Sequence, residues 1–534
     1  MSQAETLFGF LERTAQRQPE LEAVVWSKGR VRYAELHERS AAIAAGLSAR
    51  GIAAGTRVAV FVRPSPELIA IVYALFAIGA VPVLIDPGMG RAAVVRCVMS
   101  MKPQALIAVP KAQALRWIAP QALAHAHLFV CVGGWFPGTI ALAALERAGR
   151  GACAPWVPRR DDAAAILFTS GSTGPAKGVV YTHGNFLAQV EALRALYGLG
   201  PGQRDLCCFP LFALFNAAFE RTSVFAPLDP SRPAHVDPEA LLDTLDRESI
   251  TDTFGSPAIW KRVVPHARRS GMRLPALRRA MIAGASVPPA LIEDFLALLE
   301  PEADVHTPYG ATEALPIASA SGRELLHLRA RIEGGHGICV GQAAPGARLA
   351  LIPIHEQPIT HWRPELDLAR GQLGEIAVQG AVVTSSYAEL ESATRAAKIP
   401  DPAGPWHRMG DVGYLDADGL LWFTGRKSQR LETPQGLFLP EPLERVVETL
   451  PAVRRSAVVG AGPRGAQRAL LIVEGRSGDE CAILAQAQAA ARRDLPHPLP
   501  RVERVLFHPR FPVDVRHNAK IRREELQLWA EEQL

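Results

Sequence analysis

The run Thr169-Ser-Gly-Ser-Thr-Gly-Pro-Ala-Lys-Gly178 combines the group types that hold a phosphate. Gly171, Gly174 and Gly178 let the backbone curl so that successive N–H groups converge on an anion. Thr169, Ser170, Ser172 and Thr173 add hydroxyl donors, and Lys177 adds a mobile point charge. The apolar run Ala163–Phe168 leads into this segment and reads as a buried strand that delivers the loop. It is not a Walker A loop: Ala176 stands where the second glycine belongs, and Gly178 replaces the Ser/Thr that would coordinate magnesium. Phosphate binding on a different scaffold is the expectation.

Further signatures follow in order: Ala283-Gly-Ala285, Tyr309-Gly-Ala-Thr-Glu313, Gly374-Glu375, Gly380, Met409-Gly-Asp411, Gly425-Arg426 and Asn518-Ala-Lys-Ile-Arg522. Together with the Ser/Thr/Gly loop they resemble the adenylate-forming superfamily of acyl-CoA synthetases, luciferases and peptide-synthetase adenylation domains, over nearly the whole chain. The resemblance implies ATP and Mg²⁺. It implies that Tyr309 stacks on adenine with Gly310 beside it, and that the small Ala283, Gly284 and Ala285 let backbone approach the base. Thr312 would donate to the α-phosphate, and Glu313 would hold Mg²⁺ through hard carboxylate oxygen. Asp411 would accept from the ribose hydroxyls and Arg426 would fork onto ribose or phosphate oxygen. Lys520 would bridge the substrate carboxylate and the α-phosphate once a small C-terminal domain closes. Thr169, Ser170, Gly171, Ser172, Thr173, Gly174 and Lys177 would cradle the phosphates.

Three finer stretches, Val83–Gly90, Phe168–Tyr181 and Phe511–Ile521, resemble one branch, the β-lactone synthetases of bacterial long-chain olefin biosynthesis. That resemblance implies a 2-alkyl-3-hydroxy fatty acid as substrate, no coenzyme A, and association with a dehydrogenase and an α/β-hydrolase of the neighbouring steps. The alternative is a long-chain fatty acyl-CoA synthetase or acyl-AMP ligase on the same scaffold. Ser428 and Gln429 depart from the hinge motif of thioester-forming relatives. His183 and His517 are candidate bases for the 3-hydroxyl by chemistry alone, with a structural role the more common reading. Phe209, Phe212, Phe215 and Phe219 line either an acyl pocket or a core.

Elements that could position these groups are legible. Val58–Val62, Val81–Ile85, Ala105–Val109 and Leu128–Val132 read as buried strands, and Pro66–Ile78 and Ala234–Arg247 as helices. The alternation predicts an α/β fold: a large N-terminal domain (1–425) with two helix-covered, mostly parallel sheets, one before and one after residue 165. From 328 to 424 glycine and proline grow dense. Arg348–Ile352 and Glu375–Val378 predict a small β-barrel subdomain, 355–371 an exposed loop, and Asp416-Ala-Asp-Gly419 a hairpin turn. Residues 426–430 read as a hinge. Residues 431–534 read as a small mobile α+β lid with helices near 441–450 and 479–494 and strands at 457–460, 469–473 and 502–507.

Composition narrows the function classes. With 534 residues, 48% hydrophobic and 21% charged, the chain supports several cores and is not intrinsically disordered. The net charge of +5 is mild and no Lys/Arg block occurs, so a nucleic-acid footprint is not supported. Seven cysteines without C-x-x-C argue against disulfides or zinc and suit a reducing cytoplasm. His355 and His361, with Pro358 between them, fail the helical spacing of a metal site. The N-terminus reads as an amphipathic helix rather than a signal peptide. Leu68–Ile85 carries no charge, but Gly79 and Pro82 break it into a core helix and strand rather than a membrane span.

Overall fold

Apolar runs of four to six residues can satisfy their backbone polar groups only by pairing with similar neighbours, and here they assemble two large sheets. The computed structural model describes residues 6–149, 156–168, 176–513 and 521–534. The first sheet runs Ser386–Tyr387, Gly178–Thr182, Ala163–Phe168, Val81–Leu84, Arg57–Phe61, Ala105–Ala108, Leu128–Cys131, Ile140–Ala141. Its pairings are parallel from Ala163–Phe168 onward, as expected of helix-covered strands. Helix Pro66–Ala77 starts at Ser65, whose side chain accepts from the Leu68 N–H, and carries Pro66 in its first turn. It is apolar on all faces because the core surrounds it: Tyr73 even donates its hydroxyl to the Leu214 carbonyl at 2.8 Å. The uncharged stretch at 68–85 is therefore a core helix and strand. No described helix is long and apolar enough to cross a membrane.

The second sheet begins Gly29–Arg32, Glu22–Trp26, Thr222–Phe225, Arg204–Cys207, Asp252–Gly255, Arg279–Ile282 and Asp304–Ala311. It turns antiparallel at Ala314–Ser321 and continues through Ile338–Ala343, Leu421–Arg426, Trp406–Leu415, Gly374–Gln379 and Arg348–Ile352. The last five strands are antiparallel and fall where a small β-barrel was expected; among the described residues they continue the second sheet through Ala314–Ser321, and Arg348–Ile352 ends the path without closing onto Ile338–Ala343. The expected hairpin turn is held by Asp416, which accepts from the N–H groups of Asp418 and Leu420 and from the Trp422 indole.

Residue 165 does not divide the sheets. The N-terminal strand Glu22–Trp26 crosses to the second sheet, pairing Val24 with Ser223 and Val25 with Val224. Gly178–Thr182 folds back antiparallel on Ala163–Phe168, so both sides of the Ser/Thr/Gly segment belong to the first sheet. The helix expected from Ala234 starts at Pro238, because the Asp237 carboxylate accepts from the Glu239 N–H and caps it there.

The C-terminal unit pairs Ser456–Ala461, Arg468–Glu474 and Arg504–His508 in one sheet with helices Glu441–Val447, Glu480–Ala490 and Arg523–Glu531. The last helix has no counterpart in the sequence reading. It is anchored by Arg523, whose guanidinium forks onto buried Glu444 (2.7 Å on one arm) and reaches Gln429 at 3.1 Å.

Candidate active site

The hairpin Asp304–Ala311/Ala314–Ser321 puts Tyr309 on a strand and Thr312 and Glu313 in its turn. Register slips between Tyr309 and Ala311, a bulge of the kind that re-aims side chains beside functional sites. Gly310 must be glycine here, since a Cβ would lie 2.7 Å from the Ala314 carbonyl oxygen and 2.8 Å from the Leu315 Cβ. The Tyr309 hydroxyl donates to Asp411 Oδ2 at 2.5 Å. Asp411 and Arg426 face one another across paired strands, with Arg426 3.0 Å from Asp411 Oδ1. Burial, followed by the adjacent Asp411 charge, pushes the Tyr309 phenol well up, so it stays protonated and donating. Thus three residues from three separate signatures are joined by one hydrogen bond and one ion pair. Asp411 is buried, yet a carboxylate has about four acceptor positions, which leaves capacity for further donors.

The Thr312–Glu313 turn is pinned from the first sheet. The Tyr181 hydroxyl donates to the Thr312 carbonyl at 2.5 Å. The Thr384 N–H and hydroxyl both donate to the Glu313 carbonyl, at 2.9 and 3.0 Å. Tyr387 donates its hydroxyl to Glu313 Oε1 at 2.7 Å, and the Lys177 ammonium lies 4.9 Å from the Tyr387 ring centre. Below them Lys398 is buried, 3.4 Å from the Thr384 hydroxyl. Burial pulls its amine down to about 7, while Glu313 acts in the opposite direction. Tyr181, Thr384, Tyr387 and Lys398 went unrecognised in the sequence as supports of this turn. Each lies far along the chain from Glu313, and no local spacing connects them.

Ala283, Gly284 and Ala285 follow the strand Arg279–Ile282, with Gly284 at φ +94, and they face the same cleft as Tyr309 and Asp411. The cleft is continuous, about 2730 Å³, and leads from this polar end to an apolar end. There Phe209, Phe212, Phe215 and Phe219 all reach its wall, Phe209 and Phe212 half-buried and Phe215 and Phe219 buried. Phe212 packs edge-on to Phe254 with ring centres 4.5 Å apart. The four rings serve as core and cleft wall together.

Other sequence candidates fall elsewhere. His183 is buried between Phe76 and Trp156, does not border the cleft, and is held neutral by burial, its pKa lowered to about 4. Glu375 is a buried tie: it accepts from Arg408 at 2.6 Å and from Lys427 at 2.9 Å, fastening residue 427 to the large domain. Thr169, Ser170, Gly171, Ser172, Thr173, Gly174, His517 and Lys520 lie outside the described residues. Among the described residues no cluster of three His, Cys, Asp or Glu side chains forms a metal site.

A family model described as AMP-binding enzyme matches residues 11–388, most of the chain. The chain belongs to the AMP-binding enzyme family. Within it, the chain is 45% identical over 514 residues to the olefin beta-lactone synthetase of Xanthomonas campestris pv. campestris, covering 94% of this chain and 91% of that one. It is likewise 45% identical to the olefin beta-lactone synthetase of Stenotrophomonas maltophilia, with the same coverage. Among solved structures, the amide bond synthetase McbA from Marinactinospora thermotolerans matches with a TM-score of 0.79 at 22% identity, covering 98% of this chain and 99% of that one. That likeness fixes the fold of this AMP-binding enzyme: a large α/β N-terminal domain and a small C-terminal one.

Proposed function

We propose that this AMP-binding enzyme is an ATP-dependent β-lactone synthetase. It adenylates a 2-alkyl-3-hydroxy fatty acid and closes the product to a β-lactone, releasing AMP and pyrophosphate, within long-chain olefin biosynthesis. The observation that carries the reading is the 45% identity, over nearly the whole chain, to two relatives named olefin beta-lactone synthetase. A coenzyme A ligase on the same scaffold is the less supported alternative.

The described geometry supports the nucleotide-binding part of this reading. In the first step, a carboxylate oxygen of the substrate attacks the α-phosphorus of ATP and pyrophosphate leaves. Asp411, fixed by Tyr309 and Arg426, accepts from the ribose hydroxyls, and the Tyr309 face and the 283–285 backbone enclose the base. Arg426 meets ribose or phosphate oxygen, Thr312 the α-phosphate, and Lys177 with the 169–174 segment the remaining phosphates. Lys520, carried by the small domain about the 426–430 hinge, offsets the repulsion between carboxylate and phosphate. One cation about 4 Å away contributes roughly 4 kcal/mol at an effective dielectric near 20.

The donor set suits Mg²⁺ on one condition. Glu313 offers hard carboxylate oxygen that Tyr387 orients, but among the described residues no group of three His, Cys, Asp or Glu side chains is gathered to hold an ion. Such a site fits an ion whose other ligands are phosphate oxygens and water. Mg²⁺ bound there with the triphosphate supplies neutralisation of the developing charge.

In the second step the 3-hydroxyl of the same molecule attacks the activated carbonyl, loses its proton, and expels AMP as the four-membered ring closes. An internal nucleophile gains high effective molarity, and an apolar cleft wall keeps competing water out. Coenzyme A has no part in this sequence. A dehydrogenase and an α/β-hydrolase acting on neighbouring intermediates, and a cytoplasmic location, complete the reading.

The test is product analysis after incubation with ATP, Mg²⁺ and a 2-alkyl-3-hydroxy fatty acid, with and without coenzyme A. Lactone and AMP form in both under this reading. A thioester formed only with coenzyme A contradicts it.

A further inference from the structure

Most large apolar side chains of this protein are buried, so a cluster that is not calls for an occupant. Trp117, Ile118 and Trp135 are 65%, 72% and 74% exposed. They form one patch. The Trp117 ring lies tilted against Phe136 with centres 4.5 Å apart, and Arg116 joins the two segments by donating to the Pro137 carbonyl at 2.7 Å and lying over Phe129. Exposed contiguous aromatic surface of this kind marks an interaction site rather than a random surface residue.

Two further observations say what covers it. First, the sequence contains no Asp or Glu between Asp86 and Glu146, while Arg91, Arg96, Lys102, Lys111 and Arg116 all fall inside that interval. Arg91, Arg96, Lys102 and Lys111 are exposed. The charged residues that these segments contribute to the face are therefore all cationic, complementary to an anionic surface. Tryptophans beside Lys and Arg suit the headgroup level of a bilayer, where indoles anchor and cations meet lipid phosphates. Second, the patch is continuous with the substrate cleft. Arg91, Val94, Arg96, Lys111, Leu115 and Ile118 belong to the cleft wall, so Ile118 is at once exposed and part of that wall.

We propose that the face formed by helix Arg91–Met101, residues 110–118 and the 133–137 loop docks on an anionic phospholipid bilayer, and that the fatty acid passes from the lipid into the cleft beside Ile118. The route by which substrate enters rests on the fatty-acid reading above. The docking itself does not. Contact is peripheral: indole side chains insert to headgroup depth while the cations stay at the phosphates, and no described helix is long and apolar enough to span the bilayer.

The experiment is flotation of the full chain with vesicles of phosphatidylglycerol and phosphatidylcholine, against vesicles of phosphatidylcholine alone, at low and high salt and with no substrate present. The wild-type chain should float with the anionic vesicles, less so at high salt. The double variant Trp117→Ser/Trp135→Ser should partition about tenfold less. Both changes lie outside the cleft wall, so that variant should retain the wild-type melting temperature and its pyrophosphate exchange with detergent-dispersed acid. Wild-type protein that stays unbound to anionic vesicles overturns the proposal, as does a double variant that floats equally well. If neither form floats and the variant instead loses a protein partner on co-purification, the patch is a protein interface and the lipid proposal is wrong. Because flotation needs no substrate, a failure of the β-lactone reading would appear in product analysis and leave this result separate.

Discussion

The two ends of the cleft are built by different rules. The polar end is built of short polar contacts: Tyr309 to Asp411, Asp411 to Arg426, Tyr387 to Glu313. Each group there has one geometry that works, because a buried polar atom without its partner is costly. The acyl end is a wall of rings and aliphatic chains from several elements, where volume matters more than direction. On the proposed reading, the polar end serves any acid that is to be adenylated, whereas the apolar end decides which acid enters. Substrate identity would then be stored where constraints on each single residue are weakest.

Substitutions at the two ends should separate in their kinetics. The largest effect is expected from Lys520→Ala, which should slow adenylate formation by about 10²-fold or more, read as single-turnover pyrophosphate release. Near-normal release would remove this lysine from the polar end. Asp411→Ala should raise the KM for ATP by about 10- to 100-fold, through loss of charged hydrogen bonds of roughly 1.5–3 kcal/mol, while chain-length preference is unchanged. Phe212→Ala should do the reverse: kcat/KM for the long-chain acid falls by about tenfold while the KM for ATP holds. Equal damage to both parameters by either variant would break the division between the ends.

The last effect is on stability rather than kinetics and lies below the polar end, at Lys398. Burial lowers its amine to about 7 from an ordinary 10.5. Between these values the unfolded chain binds the additional proton, so the folded state gains stability as pH rises through this window and the gain is complete above the upper value. Lys398→Met removes that dependence. The wild-type melting temperature minus that of the variant should increase from about pH 7 to about pH 10. A difference that is flat or falling would mean that Lys398 keeps its charge in the fold.

How much of this was legible in the sequence follows the same divide. Strands such as Arg57–Phe61 and Ala105–Ala108 were visible because their apolar runs are local, and Asp416 marked its hairpin because Asx turns are local too. Tyr309, Asp411 and Arg426 were recognisable singly by resemblance, and the fold joins them. What stayed hidden were pairings across long stretches of chain. Tyr387 reaches Glu313 over 74 positions, and Glu22–Trp26 joins a strand some two hundred residues away. Neither leaves any periodicity to read. His183 looked chemically competent, but only burial, invisible in sequence, shows it to be neutral and walled off from the cleft.

The kinetic expectations assume that a carboxylic acid is activated here by transfer onto the α-phosphate of ATP. Exchange of labelled pyrophosphate into ATP tests that assumption most directly. The account predicts exchange that requires the 2-alkyl-3-hydroxy fatty acid and proceeds without coenzyme A. Folded protein that catalyses no exchange with any fatty hydroxy acid would contradict it.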